Sequence, residues 1–278
     1  MGRPSRVWIP AFAGMSGKVI SVSCSSLLPA ALCAASSPVL AALILFLLVA
    51  AFARGYSGFG FSALLVASSS LIVDPALPVA VAMLLEITAS VMQALSVWRD
   101  VAWRRVALLL IGAVCGIPIG VAVLALGQPT LLRLIISAIL LASCLALLAG
   151  YRLTRPVGRT GEAAVGAVSG LVNGATAMGG LPVALFLAAS AEKPAVMRAT
   201  FIAYFFFLDI LSGLLLAREG VLGTGAVATA ALALPILAFG LWLGGRHFLG
   251  ASEAQFRQHT LFLLILLAGL GVMKAIAG

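Results

Sequence analysis

From Ser36 onward the apolar positions gather into runs separated by short polar or glycine-rich gaps. They fall at about 38–53, 60–73, 78–97, 106–126, 130–150, 163–175, 180–191, 196–216, 224–243 and 259–276. Six have the length of a bilayer-spanning helix or nearly so, about 20 mostly apolar residues. The other four are short and come in two pairs, each interrupted by glycine. Gly55-Tyr-Ser-Gly58-Phe-Gly60 splits the first pair and Asn173-Gly174-Ala-Thr-Ala-Met-Gly179-Gly180 the second. The order short, short, long, long, long therefore occurs twice, which reads as an internal duplication. At about 1.5 Å per residue, the stretch from 163 to 191 would make a helix of roughly 43 Å. That is too long for one upright span of a core about 30 Å thick and too short for two. A broken or re-entrant segment fits better. The pattern predicts an all-α polytopic membrane protein of about eight to ten membrane segments. It has two repeats, each with one glycine-broken or re-entrant segment plus three long helices. The first repeat covers 36–152, a basic linker 153–161 and the second repeat 162–278.

Composition narrows the function. Of 278 residues, 63% are hydrophobic and 9% charged, and the mean hydropathy is +1.21, which excludes a water-soluble globule. No polar stretch is long enough for a separate catalytic or DNA-binding domain, so function has to lie among the membrane helices. The net charge of +9 comes from basic residues scattered at segment ends, where they act as topology signals and not as a nucleic-acid patch. Cys24, Cys33, Cys115 and Cys144 form no CxxC, and His247 and His259 lie in one loop without metal-ligand spacing. No metal or cofactor is expected. No GxxxxGK[ST] sequence is present, so ATP drive within this chain is not supported.

Charge also orients the chain. Arg99, Arg104 and Arg105 follow the third segment, and Arg152, Arg155 and Arg159 lie between the halves, two spans later. Both loops are then cytoplasmic, and the uncharged Gly127-Gln-Pro between them is external. If the second broken pair returns to the side it entered from, Lys193 with Arg198 and Arg246 with Arg257 also face the cytoplasm. If it crosses once, the last two sit outside, against the rule. The bias therefore favours halves of opposite orientation, an inverted repeat of the kind alternating-access carriers use. Trp98 and Trp103 flank the Arg99 loop as interface anchors.

Residues 1–35 stand apart. They are a doubtful N-terminal extension or a signal-like segment: Arg3, Arg6 and Lys18 would flank an apolar part from Val19 to Leu32, with a poor cleavage signal. The string WIPAFAGM also resembles translated bacterial intergenic repeats, which would put the true start further on, and this is the preferred reading.

Two strings carry a resemblance, FARGYSGFGFSALLVASSSLIVDPALPVAVAM and VGAVSGLVNGATAMGGLPVALFLAASAEKPAVMRATF. They resemble the twice-repeated glycine-rich motif of the sulfite exporter TauE/SafE family, also described as toluene-sulfonate-uptake-type permeases. The resemblance covers about residues 38–276. The second copy is the closer, with Gly166, Gly170, Gly174, Gly179, Gly180, Pro182, Arg198, Ala199 and Thr200 in place. In the first, Phe61 stands where a further glycine is common, and the proline-led element is blurred into Pro78-Val-Ala-Val-Ala. The resemblance implies a bacterial inner-membrane carrier for small anions, with sulfite, sulfonates and other organosulfur or carboxylate anions as the substrate range.

Anion transport has to offset negative charge in a low-dielectric interior without trapping the ion. Helix N-termini do this with free N–H groups and about half a unit of positive charge. The segments opening near Gly60 and Gly180 supply such ends. Gly58, Gly174 and Gly179 beside them also let a substrate oxygen approach the backbone, and Ser57, Asn173 and Thr176 add polar side chains. The competing reading of the three side chains is helix capping or interhelical bonding. For Gly166, Gly170 and Gly174, at four-residue spacing, it is close helix packing. Arg54 abuts the first break and Arg198 opens a long helix. Each is a candidate counter-charge, with snorkelling or a boundary position as the alternative, and Arg133 reads as snorkelling. Glu86 and Asp209 interrupt long apolar runs of equivalent helices. An acid there needs a partner, a water-filled cavity or a proton, so both are candidates for proton coupling. The alternative is a protonated acid bonded to a neighbouring helix, or a salt bridge to an arginine. Tyr56, Phe59, Tyr204 and the run Phe205-Phe206-Phe207 are better read as packing or lipid-facing aromatics than as pathway lining.

The expected function is a secondary transporter of a small anion, sulfite, sulfonate or a related organic anion, with protons as candidate coupling ions. Its partners are the lipid bilayer and the anion, not nucleic acid, and self-association is left open. The alternative of a different class is a non-transporting membrane assembly or biogenesis factor. An intramembrane enzyme comes third, since Ser/His, HExxH and paired-Asp motifs are all lacking.

Overall fold

A computed structural model describes residues 37–148, 158–189 and 194–247. Residues 1–36 and the segment at 259–276 lie outside the described residues. Every regular element among the described residues is helical. In chain order they are α1 (Ser37–Ser57), α2 (Phe61–Ser69), α3 (Ala76–Val97), α4 (Trp103–Leu126), α5 (Pro129–Leu148), α6 (Arg159–Thr176), α7 (Gly180–Ala189), α8 (Pro194–Arg218) and α9 (Thr224–His247). A short 3-10 turn, Trp98–Asp100, joins α3 to α4. Five of these helices are long and apolar enough to cross a bilayer: α1, α3, α4, α8 and α9. The chain is an all-α, multi-pass membrane protein.

The first member of each broken pair is longer than its apolar run suggests. α1 continues through Arg54 and Gly55 to Ser57, so the first break is only Gly58 to Gly60. α6 likewise starts at Arg159, because Glu162 in its first turn pairs with Arg105 of α4 at 3.2 Å instead of facing lipid unpaired. Interhelical polar partners carry both helices past the ends of their hydrophobic stretches.

Glycine governs the packing. Gly112, Gly116 and Gly120 of α4 press on α6, and Gly166, Gly170 and Gly174 of α6 press back on Leu109, Ala113 and Ile117. A side chain at any of them would run into the opposite backbone. Without a hydrophobic drive between helices in lipid, such close approach supplies the dispersion contact that holds them. Gly240 and Gly244 of α9 make the same contact with α1, against Ala51 and Phe52, while Gly55 of α1 abuts Leu241. Gly170→Val is expected to wedge α4 from α6 at a cost of about 1–3 kcal/mol, read as a lower midpoint for loss of monodisperse protein on heating in detergent. Gly213→Ala, whose added methyl would meet only Leu222 at 3.9 Å, is expected to change little.

The contacts also fix relative directions. Successive glycines of α4 meet successively later residues of α6, so these helices run parallel, and α9 runs parallel to α1 by the same criterion. α8 starts where α3 ends, with the Ala102 amide donating to Thr200 Oγ1 at 3.2 Å, so α3 and α8 are antiparallel. Arg133 at the start of α5 donates from Nε to the Ser70 carbonyl at 2.9 Å, which places the end of α2 beside the start of α5. Arg133 is thus bonded to the backbone just past α2, a role that its place near a segment end did not disclose.

Candidate functional site

Each break is built by the same local device. Gly58 takes a left-handed conformation, φ 79°, while its amide still donates to the Arg54 carbonyl at 2.9 Å. Ala177 does the same in the second half, φ 58°, donating to the Asn173 carbonyl at 2.7 Å. This is the αL stop that commonly ends a helix. Arg54, Gly58, Gly60 and Phe61 therefore stand at the same spacing as Asn173, Ala177, Gly179 and Gly180. Continued without insertion, that register sets Glu86 against Phe205 and Ser90 against Asp209. The two acids do lie in corresponding helices, α3 and α8, but not at corresponding positions.

The breaks face one another across a narrow cleft, partly open to the outside, whose free volume of about 10 Å³ is that of roughly one water molecule. Gly60 and Gly180 line it at the starts of α2 and α7, and Ser62, Glu86, Met178 and Phe205 complete most of its wall. Glu86 is near the middle of α3 and Phe205 near the middle of α8, so the cleft is level with the centre of two spanning helices. α2 opens at Gly60, φ 87°, without a side-chain cap. A helix start of this kind presents amides to whatever occupies the cleft. Nothing stands within 4 Å of where a Gly60 side chain would be, so its absence keeps the cleft open.

Behind the cleft lies a buried polar cluster in the first half. Arg54 is fully buried. Its Nη1 donates to the Gly58 carbonyl at 2.6 Å and its Nη2 to Ser90 Oγ at 2.8 Å, and Nη2 pairs with Glu86 Oε2 at 3.1 Å. Ser62 Oγ donates to Glu86 Oε1 at 2.8 Å. The arginine thus fastens the end of α1 to α3, and the ion pair is held in a low dielectric where it must be nearly fully satisfied to persist.

The second half has a counterpart in which an amide, Asn173, takes the place of the guanidinium. Asn173 Nδ2 donates to Asp209 Oδ1 at 2.8 Å and Ser212 Oγ at 3.1 Å, and its Oδ1 accepts from the Gly179 amide at 3.2 Å. Ser169 Oγ donates to the Gly179 carbonyl at 2.6 Å and accepts from Tyr204 OH at 2.8 Å. Asp209 is 1% exposed, and its Oδ2 meets no hydrogen-bond partner among the described residues.

The residues singled out from sequence separate accordingly. Gly60, Gly180 and Glu86 line the cleft, while Arg54, Gly58, Asn173, Gly179 and Asp209 build the breaks behind it. Thr176 caps its own helix end, donating to the Val172 carbonyl at 2.7 Å and accepting from the Met178 amide at 3.2 Å. Gly174 is in the packed glycine row against α4. Arg198 is half-buried and donates to the Gly55 carbonyl at 3.0 Å, bracing α1 from the start of α8. The Ser57 side chain lies outside the described residues. Sequence reasoning passed over Ser62, Ser90, Ser169 and Ser212, and set Phe205 with the packing aromatics. Aligning the two breaks residue by residue brings Ser90 and Phe205 forward, because they stand opposite Asp209 and Glu86.

A family model described as Sulfite exporter TauE/SafE matches residues 41–271. No curated protein and no solved structure matches the chain. The match spans both breaks, both acids and every helix that builds the cleft, in agreement with the resemblance read from the two glycine motifs. This chain belongs to the TauE/SafE sulfite exporter family of membrane transporters for sulfite-type anions.

Proposed function

We propose that the protein is a secondary carrier that passes sulfite or a small organic sulfonate through the cleft between the two breaks, coupled to a proton bound at Glu86 and Asp209. The observation that carries this reading is the convergence of the starts of α2 and α7 on one cleft at the level of mid-helix α3 and α8. Helix starts offset an anion's charge without a mobile counter-ion, and broken spans at matching places in two halves are where carriers bind substrate. The antiparallel relation of α3 to α8 supports an inverted repeat, with both broken pairs re-entrant and the Arg99 and Arg159 ends facing the cytoplasm of a bacterial inner membrane. Residues 36–152 and 162–278 are then the two repeats.

Proton coupling rests on the placement of the two acids. Arg54 of α1 faces Glu86, Asp209 of α8 lies within electrostatic reach of both, and Tyr204 lies within reach of Asp209. A proton arriving on Glu86 removes the charge that holds Arg54. The guanidinium then becomes available to an anion in the cleft, and the anion and the proton are bound together. Purified protein in proteoliposomes is expected to take up labelled sulfite faster with a pH gradient than without. Glu86→Gln and Asp209→Asn together are expected to flatten the pH dependence of that flux. PH dependence that survives both changes would remove the coupling. No flux of sulfite or any sulfonate would instead favour a membrane assembly factor.

A further inference from the structure

The cleft reaches Glu86 but not Arg54, although the two are 3.1 Å apart. The ring of Phe205 borders both the cleft and the guanidinium. Arg54 Cζ sits 5.1 Å from the ring centroid, within cation–π range, and the ring also lines the cleft. On the α7 side it fills the space in which a Gly180 side chain would lie, so the ring covers the start of that helix as well. It continues a row of rings, with Phe201 stacked at 6.0 Å and Phe59 at 5.3 Å from Phe201. Arg54 Nε has no hydrogen-bond partner among the described residues, so the buried cation retains a donor that its own half does not use.

We infer that Phe205 is the shutter between the cleft and Arg54, and that its volume decides which sulfite-type anions reach the guanidinium. This rests on the carrier reading above and adds the residue that sets its selectivity. In the position where one half contributes an acid, Glu86, the other contributes a ring. A proton on the acid and a rotation of the ring are both needed before an anion meets Arg54. A ring in the cleft wall that yields only by a change of rotamer admits an anion with no organic substituent most readily. It opposes one carrying an aryl group, which would need the volume that the ring itself occupies.

Two measurements on the full chain in proteoliposomes test this. The first is modification of Arg54 by methylglyoxal, read by mass spectrometry of the Arg54 peptide, which requires no transport. Wild-type Arg54 is expected to be protected, and Phe205→Ala to raise labelling about tenfold, with Phe205→Leu between the two if the alanine variant folds poorly. The second is the flux ratio of benzenesulfonate to sulfite, expected to rise about tenfold or more in Phe205→Ala, the usual scale for reshaping an apolar pocket. Gly180→Ala alone is expected to lose flux, and combining it with Phe205→Ala to regain it, since the added methyl then has room. Equal labelling in wild type, alanine and leucine variants overturns the shutter, and so does an unchanged flux ratio in a folded variant. Increased labelling with neither anion moving in any form, wild type included, supports the shutter and overturns the carrier reading instead.

Discussion

Arg54→Ala is expected to cost about 3–5 kcal/mol of stability, the usual penalty when one partner of a buried ion pair is removed. Glu86 would remain 2% exposed with only Ser62 to answer it, and the Gly58 carbonyl and Ser90 hydroxyl would lose their donor at the same time. The measurement is the midpoint of heat-induced loss of monodisperse protein in detergent, together with expression of the full chain. Arg54→Lys keeps the charge, but a single ammonium cannot serve Gly58, Ser90 and Glu86 in the fixed directions that a guanidinium spans. It is expected to recover part of the stability. Arg54→Met combined with Glu86→Gln removes both charges and is expected to approach wild-type stability while transport stays lost. A double variant that transports normally would show that the pair only holds α1 to α3.

Asn173→Leu should be nearly as damaging, for a different reason. Leucine has the same branched shape but leaves the Gly179 amide, Asp209 Oδ1 and Ser212 Oγ without the contacts they now make. Each buried polar group so abandoned costs about 1–3 kcal/mol. The same thermal assay is expected to show a loss approaching that of Arg54→Ala. Asn173→Asp keeps an acceptor for Gly179 but sets a second carboxyl against Asp209, so its stability is expected to fall as pH rises and both groups are driven to ionise together. A pH slope steeper than that of the wild type separates this effect from lost packing.

These expectations share an origin that is only partly visible along the chain. The breaks are legible because glycine clusters interrupt apolar runs that no single upright helix explains, and the starts of α2 and α7 fall within a residue or two of where those clusters place them. Glu86 and Asp209 stand out because a lone acid in an apolar run demands an explanation. Arg54 stands out because it abuts a break. Their partners do not, since a serine or an asparagine in an apolar helix is as often a local cap as an interhelical bond. Thr176 turned out to be a cap, while Asn173 holds together α6, α8 and the turn at Gly179.

Glycine shows the same division. Gly174 and Gly60 look equally suited to a binding loop in the sequence, yet Gly174 lies against the backbone of Ile117 and Gly60 faces open space. Aromatic residues differ in the same way: Phe205 is 4% exposed and in the cleft wall, whereas Phe206 and Phe207 beside it on α8 are only partly buried.

Hydrophobic run length was enough to settle the helical membrane class and the places where two spans break, while the family resemblance rested on the two glycine-rich strings. These depend on local composition and on the thickness of a bilayer, both of which act on each segment separately. Tertiary packing decided which polar residue answers which, which glycines are contacts and which are openings, and that a ring borders both the cleft and its buried cation. Those outcomes depend on the distance between side chains on different helices, which no single segment encodes. They come from α1, α3 and α8 meeting at a common level, where Arg54 of α1 pairs with Glu86 of α3 and lies over the Phe205 ring of α8.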